Sequence, residues 1–264
     1  MTNGPLLPPE AALLIEPKRS TAPQCLQAAL LSLLSLGHIA LHESKGFFST
    51  AHTLRLLDGE GPPLPPNLAV VKNVLLSHGR GRVLRTQEVI RALQKGFGLD
   101  YRQYVEDKLA PSLIKRGLLR REQRKFLGLI PYSSYARTPS GEAKAAPLIR
   151  LLDEAGGIRK LIRNDPNRAI GIAQAAGVML VLSPAAKAQI PQLKALMADR
   201  AADSSGGGYY VEGGSDESEW QIGVDFGSFD FSADIGGWLD GVGSVGDFTG
   251  GDGGDGGGDG GGGD

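Results

Sequence analysis

The stretch from Asp100 to Ser140, DYRQYVEDKLAPSLIKRGLLRREQRKFLGLIPYSSYARTPS, decides how the rest of the chain is read. Asp100 is a capping residue ahead of a helical run, Tyr101–Arg116, and Gly117 stands where that helix must end. Two β-prone segments follow at once, Leu118–Gln123 and Phe126–Arg137, and predict a hairpin. Thr138-Pro139 then opens another helix, pairing a capping hydroxyl with proline at the first helical position. Helix, wing and helix are the second half of a winged-helix pattern.

Upstream, Thr86 predicts a cap for a helix from Gln87 to about Lys95, and Asn67–Ser77 predicts one closed by Gly79. Arg82–Leu84 can supply the short strand that winged helices place between such helices. Gly59–Pro66 is a connector. Before it, Thr21 with Gln24 at the capping-box position opens a helix that Gly37 ends. Ile39–Leu41 and Phe47–Leu57 then form a hairpin around His42–Gly46, and Pro8-Pro9 open a short helix through Ile15. A helix ending in glycine and running into a hairpin thus occurs twice, a pattern compatible with an internal duplication. Downstream, Asp165-Pro166 and Ser183-Pro184 repeat the cap-plus-proline device and predict helices at about 158–163, 166–182 and 184–198.

The expected fold class is mainly α with small β-hairpins, a winged-helix-like body followed by a disordered acidic Gly-rich tail. Its expected segments are an N-terminal helix-hairpin segment (1–62), a winged-helix-like module (63–156), C-terminal helices packing on the body (157–203) and the tail (204–264). The first 200 residues hold all 28 basic side chains and 15 acids, +13, whereas the last 64 hold 14 acids and no base, −14. Residues 250–264 are only glycine, aspartate and nothing apolar, which cannot offset chain entropy by burial. They also lack the apolar residue that each calcium-binding β-roll repeat requires. The preceding stretch interleaves acids with aromatics, and Trp220, Phe226, Phe229, Phe231 and Trp238 are the candidates for binding a partner on folding.

The lone Cys25 excludes an internal disulfide, and its apolar helical context predicts a buried, inert thiol. His38, His42, His52 and His78 form no metal-ligand spacing, so neither a metal nor a cofactor is expected. MTNGPLLPPE has no secretory pattern, and Ala169–Leu182 is too short and interrupted for a membrane span, so a cytoplasmic location is expected.

Lys115, Arg116, Arg120, Arg121, Arg124 and Lys125 gather at the end of the third helix and on its wing, a pattern suited to phosphate groups. Cations there also complement the helix dipole and solvate a hairpin. Arg80, Arg82 and Arg85, with Arg91, form a second group that strengthens the polyanion reading only if both share a face.

Two resemblances follow from particular motifs. LLPPEAALLIEP, with CLQAALLSLLSLGHIALHES after it, resembles the start of a cytoplasmic region of bacterial predicted membrane proteins of unknown function with glycine-rich tails. RGLLRREQRKFLGLIPYSSY, Arg116–Tyr135, is similar to a segment of bacterial relatives of the Golgi phosphoprotein family. That second likeness implies a mostly helical fold and contact of Arg116, Arg120, Arg121 and Arg124 with anionic lipid headgroups.

The expectation is therefore a non-enzymatic binding or adaptor protein with an unknown protein partner, its basic body masked by its own acidic tail. A winged-helix regulator binding nucleic acid and a peripheral binder of an anionic membrane surface are the alternatives. No nucleophile-base pair is visible that would make it an enzyme.

Overall fold

A computed structural model describes residues 5–45, 50–57, 63–79, 83–126 and 130–203, together with three tail positions, 238, 239 and 242. Its helices begin with α1 (Pro8–Ile15) and α2 (Ala22–Ser35), followed by the strands β1 (Ile39–Lys45) and β2 (Thr50–Leu56). Next come α3 (Pro66–Gly79), β3 (Val83–Arg85), α4 (Thr86–Phe97), α5 (Arg102–Tyr104), a π-helical turn (Val105–Leu109) and α6 (Ala110–Lys115). The wing strands are β4 (Leu119–Phe126) and β5 (Ile130–Arg137). Five C-terminal pieces close the body: α7 (Pro139–Gly156), α8 (Ile158–Asn164), α9 (Pro166–Ala176), α10 (Pro184–Lys187) and α11 (Ile190–Asp203). The fold is thus mainly helical with small antiparallel hairpins, as the punctuation of the sequence predicts.

The helix α1 is the hub. Pro8 to Leu14 are all buried, and the helix packs against α2, α6 and α7. Beside it, α2 buries Cys25, Leu26, Leu30, Leu31 and Leu33, and the 3-10 turn Gly177–Leu182 packs against both helices. Proline-led caps set the entries of the later helices. Thr138, Asp165 and Ser183 accept hydrogen bonds from the backbone N–H groups of Gly141 (3.0 Å), Arg168 (3.0 Å) and Ala186 (3.5 Å).

Several details depart from the sequence reading. The helix at Gln87 is capped by Arg85, not by Thr86: Arg85 is extended, and its N–H donates to Glu88 Oε2 at 2.8 Å. Thr21 stands at the N-cap of α2 as expected, but its side chain makes no cap hydrogen bond; its hydroxyl instead donates to the Glu16 carbonyl at 2.8 Å. The expected helix 166–182 ends at Ala176, because Gly177 takes a φ of 51° and the chain tightens into the 3-10 turn. In the third helix, Pro111 has no N–H for the carbonyl four residues back, and a π-helical turn takes up the mismatch.

Two sheets result. β2 pairs antiparallel with both β1 and β3, aligning Leu41, Leu54 and Leu84 across the three strands. The short strand between the central helices therefore joins the N-terminal hairpin. The wing, β4–β5, forms a separate two-stranded sheet. At its base Leu118, Leu119 and Tyr135 are buried. Thr138 ties that base to α7: its N–H donates to the Leu118 carbonyl (3.1 Å) and its hydroxyl to the Gly117 carbonyl (2.6 Å).

Candidate basic site and the anchored tail

The cations around the end of α6 divide by environment. Lys115, Arg120 and Arg121 are exposed. Arg116 turns inward: its Nη1 donates to Glu10 Oε2 at 2.9 Å, with the Arg116 side chain 15% and the Glu10 side chain 4% exposed. Glu10 also accepts from the Ser112 hydroxyl (2.8 Å) and from the Leu7 N–H (3.2 Å), so its carboxylate is satisfied from three sides. This buried node joins α1 to α6, and it withdraws Arg116 from any surface ligand. Strand alternation puts Arg120 and Glu122 on one face of β4, where Arg120 Nη2 meets Glu122 Oε1 at 2.9 Å. Arg121 lies on the other face, opposite Tyr135.

Arg124 and Lys125 pair in register with Tyr132 and Pro131, but their side chains lie outside the described residues. Arg80 and Arg82 also lie outside them; Arg85 and Arg91 are exposed. The exposed cations of the α6–β4 junction are therefore Lys115 at the end of α6 and, on opposite faces of β4, Arg120 and Arg121, with Arg120 paired to Glu122.

The tail candidates divide as well. Trp220, Phe226, Phe229 and Phe231 lie outside the described residues. Trp238 does not offer itself to a foreign partner: with Leu239 and Val242 it is part of the body's own core, at 2%, 0% and 0% exposure. Gln27 Nε2 on α2 donates to the Leu239 carbonyl at 2.7 Å, and the Tyr101 hydroxyl donates to the Val242 carbonyl at 3.3 Å. Sequence reasoning singled out Trp238 for its aromatic-acidic setting and missed Leu239, Val242, Gln27 and Tyr101. Tyr101 carried no signal, because a tyrosine at a helix start gives no hint of a left-handed backbone.

Burial shifts several protons nearby. It pushes the Tyr101 hydroxyl up to about 12. Tyr104 is held well above the ordinary tyrosine range, by burial first and then by its electrostatic coupling to the nearby Cys25 and Glu10. Burial also lifts the Cys25 thiol far above its usual range, against a smaller opposing backbone hydrogen bond. Tyr104 stacks obliquely on Phe97 with ring centroids 5.1 Å apart, and its hydroxyl donates to the Asn67 carbonyl at 3.3 Å. Among the described histidines, His38 is buried beside Lys72 Nζ at 3.1 Å, and His78 is exposed.

Among the described residues, no three His, Cys, Asp or Glu side chains gather to hold a metal ion, and no helix is long and apolar enough to cross a membrane. A protein-family model described as Golgi phosphoprotein 3 (GPP34) matches residues 11–208. The match contains the Arg116–Tyr135 motif that carried the second resemblance, and most of the acidic tail lies beyond it. The first resemblance, to predicted membrane proteins, is not what the family model reports. No curated protein matches the chain.

Proposed function

The chain belongs to the Golgi phosphoprotein 3 (GPP34) family, and from that premise we propose that it is a non-enzymatic adaptor that docks on an anionic membrane surface. The observation that carries this reading is the exposed set Lys115, Arg120 and Arg121 at the α6–β4 junction, beside an Arg116 that is spent on Glu10. Lys115 at the end of α6 and Arg120 and Arg121 on the first strand of a short hairpin place exposed positive charge around one junction, which a layer of anionic headgroups can meet edge-on. Each such cation near an anionic bilayer contributes about 1 kcal/mol. A few of them therefore give reversible binding that salt weakens.

The tail supplies the opposite charge. With −14 tethered to a +13 body, intramolecular competition lowers the affinity for weak polyanions. The test is co-sedimentation of the full chain with phosphatidylcholine vesicles with and without phosphatidylserine, at low and at physiological salt. Binding should require phosphatidylserine, fall with salt and be lost in Arg120→Glu/Arg121→Glu. Retardation of duplex DNA without vesicle binding would favour the nucleic-acid alternative and sink the membrane reading.

A further inference from the structure

The tail residues Trp238, Leu239 and Val242 adopt helical conformation and lie at positions i, i+1 and i+4, an arc of about 100° on one side of a turn. All three side chains enter the core. Two of the backbone carbonyls on this turn, those of Leu239 and Val242, are met by side-chain donors from different parts of the body, Gln27 on α2 and Tyr101 between α4 and α5. An apolar face inserted in a groove, with main-chain carbonyls taken by fixed donors, is how folded domains read short helical peptides.

Tyr101 gives an independent reason to regard this place as built. It is the one non-glycine residue with positive φ (58°) among the described residues, and its side chain is fully buried. A left-handed backbone at a bulky residue persists only where the surroundings hold it, and such strain concentrates at ligand clamps. Here the strained residue is the one whose hydroxyl donates to the tail carbonyl.

We propose that the body carries a peptide-docking slot between α2 and the Tyr101 turn, selective for a Trp-Leu-x-x-Val segment, whose resident occupant is the chain's own Trp238–Val242. Thirty-four residues separate Asp203 from Trp238. They span roughly 115 Å at full extension, enough to reach the slot of the same chain or of a neighbour. A covalent tether of that length keeps the segment at an effective concentration near the millimolar range, above that of a second copy in dilute solution. Occupancy is therefore in cis. The fit has one flaw. The Trp238 indole Nε1 is buried and finds no acceptor among the described residues, so the slot reads the ring and not its N–H. Phenylalanine at 238 should serve as well as tryptophan, whereas alanine should not.

Only two tryptophans are present, so the full chain carrying Trp220→Phe reports on Trp238 alone. Its emission should be blue-shifted and shielded from acrylamide, with both unchanged over a hundredfold range of protein concentration at constant monomer mass. Emission typical of free tryptophan overturns the slot, and shielding that grows with concentration as the mass doubles overturns cis occupancy in favour of a second copy. In the full chain carrying Leu239→Ala/Val242→Ala, the vacated slot should bind a labelled peptide of residues 233–245 at least tenfold more tightly than the wild-type chain does. The same peptide with Trp238→Phe should bind equally, and with Trp238→Ala hardly at all. Equal binding to vacated and wild-type chains overturns the proposal. If the vacated chain fails to fold by circular dichroism, the fluorescence arm decides alone.

Discussion

Arg116 Nη1 and Glu10 Oε2 lie 2.9 Å apart, although they stand 106 positions apart in the chain. The pair fastens the first helix to the end of the third helical run, and both partners are largely out of water. Removing one partner leaves a buried charge without its counterpart, at a cost of about 3 kcal/mol or more. Glu10→Ala and Arg116→Leu should each lower the denaturant midpoint accordingly, and the double variant should recover part of the loss. Lys115→Ala, one residue away but exposed, should stay within about 0.5 kcal/mol of the parent. Equal small effects at 115 and 116 would show that the internal pair contributes nothing.

Gly141 supports a prediction of unusual sign. Replacing glycine by alanine in a helix normally stabilises by about 1 kcal/mol. Here the first turn of α7 crosses the base of the wing, and an added methyl would run into the Leu118 carbonyl, a backbone atom already bonded to Thr138. Gly141→Ala should therefore destabilise by about 1–3 kcal/mol, as overpacking does. A gain in melting temperature would show that this helix-wing joint is looser than described.

The same joint shows why the fold could be read in the residues and much of the site could not. Helix starts such as Thr138-Pro139 and Asp165-Pro166, and stops such as Gly37 and Gly117, are decided by neighbours within four positions. The one-dimensional order carries that information. Glu10 meeting Arg116, and Gln27 meeting Leu239 across 212 residues, are decided by tertiary packing that no local pattern encodes. Charge counting therefore placed Arg116 with its exposed neighbours. Composition likewise grouped Trp238 with the other tail aromatics, because its burial depends on a groove made by α2 and the Tyr101 turn.

Alkaline pH should weaken the protein in a defined window. The Tyr101 hydroxyl has a folded pKa of about 12, above the ordinary value of 10.0, and Tyr104 is shifted in the same direction. Between those values the unfolded chain loses protons that the folded chain retains, so unfolding is favoured as pH rises. The tyrosine contribution to stability should be fully present below pH 10. It should fall from there to about 12 for Tyr101, with Tyr104 adding a loss in the same direction. Chemical unfolding at stepped pH measures the slope, and phenolate absorbance tracks the ionisation. Tyr101→Phe should flatten the first part of the fall. An unchanged slope in that variant would remove Tyr101 as its source.

Cys25 converts these stability differences into a chemical rate. Its thiol is fully buried in α2 and held protonated by that burial, so a maleimide can reach it only when the chain opens. When reclosing outpaces labelling, the rate follows the population of the open form. Labelling of the native chain should be slow and should become immediate in denaturant. Glu10→Ala, by about 3 kcal/mol, should speed it by roughly a hundredfold. Arg120→Glu/Arg121→Glu should leave it nearly unchanged, because those exposed side chains hold no part of the core. Rapid labelling of the native parent would mean that α2 opens locally, without the global unfolding that the Glu10–Arg116 pair resists.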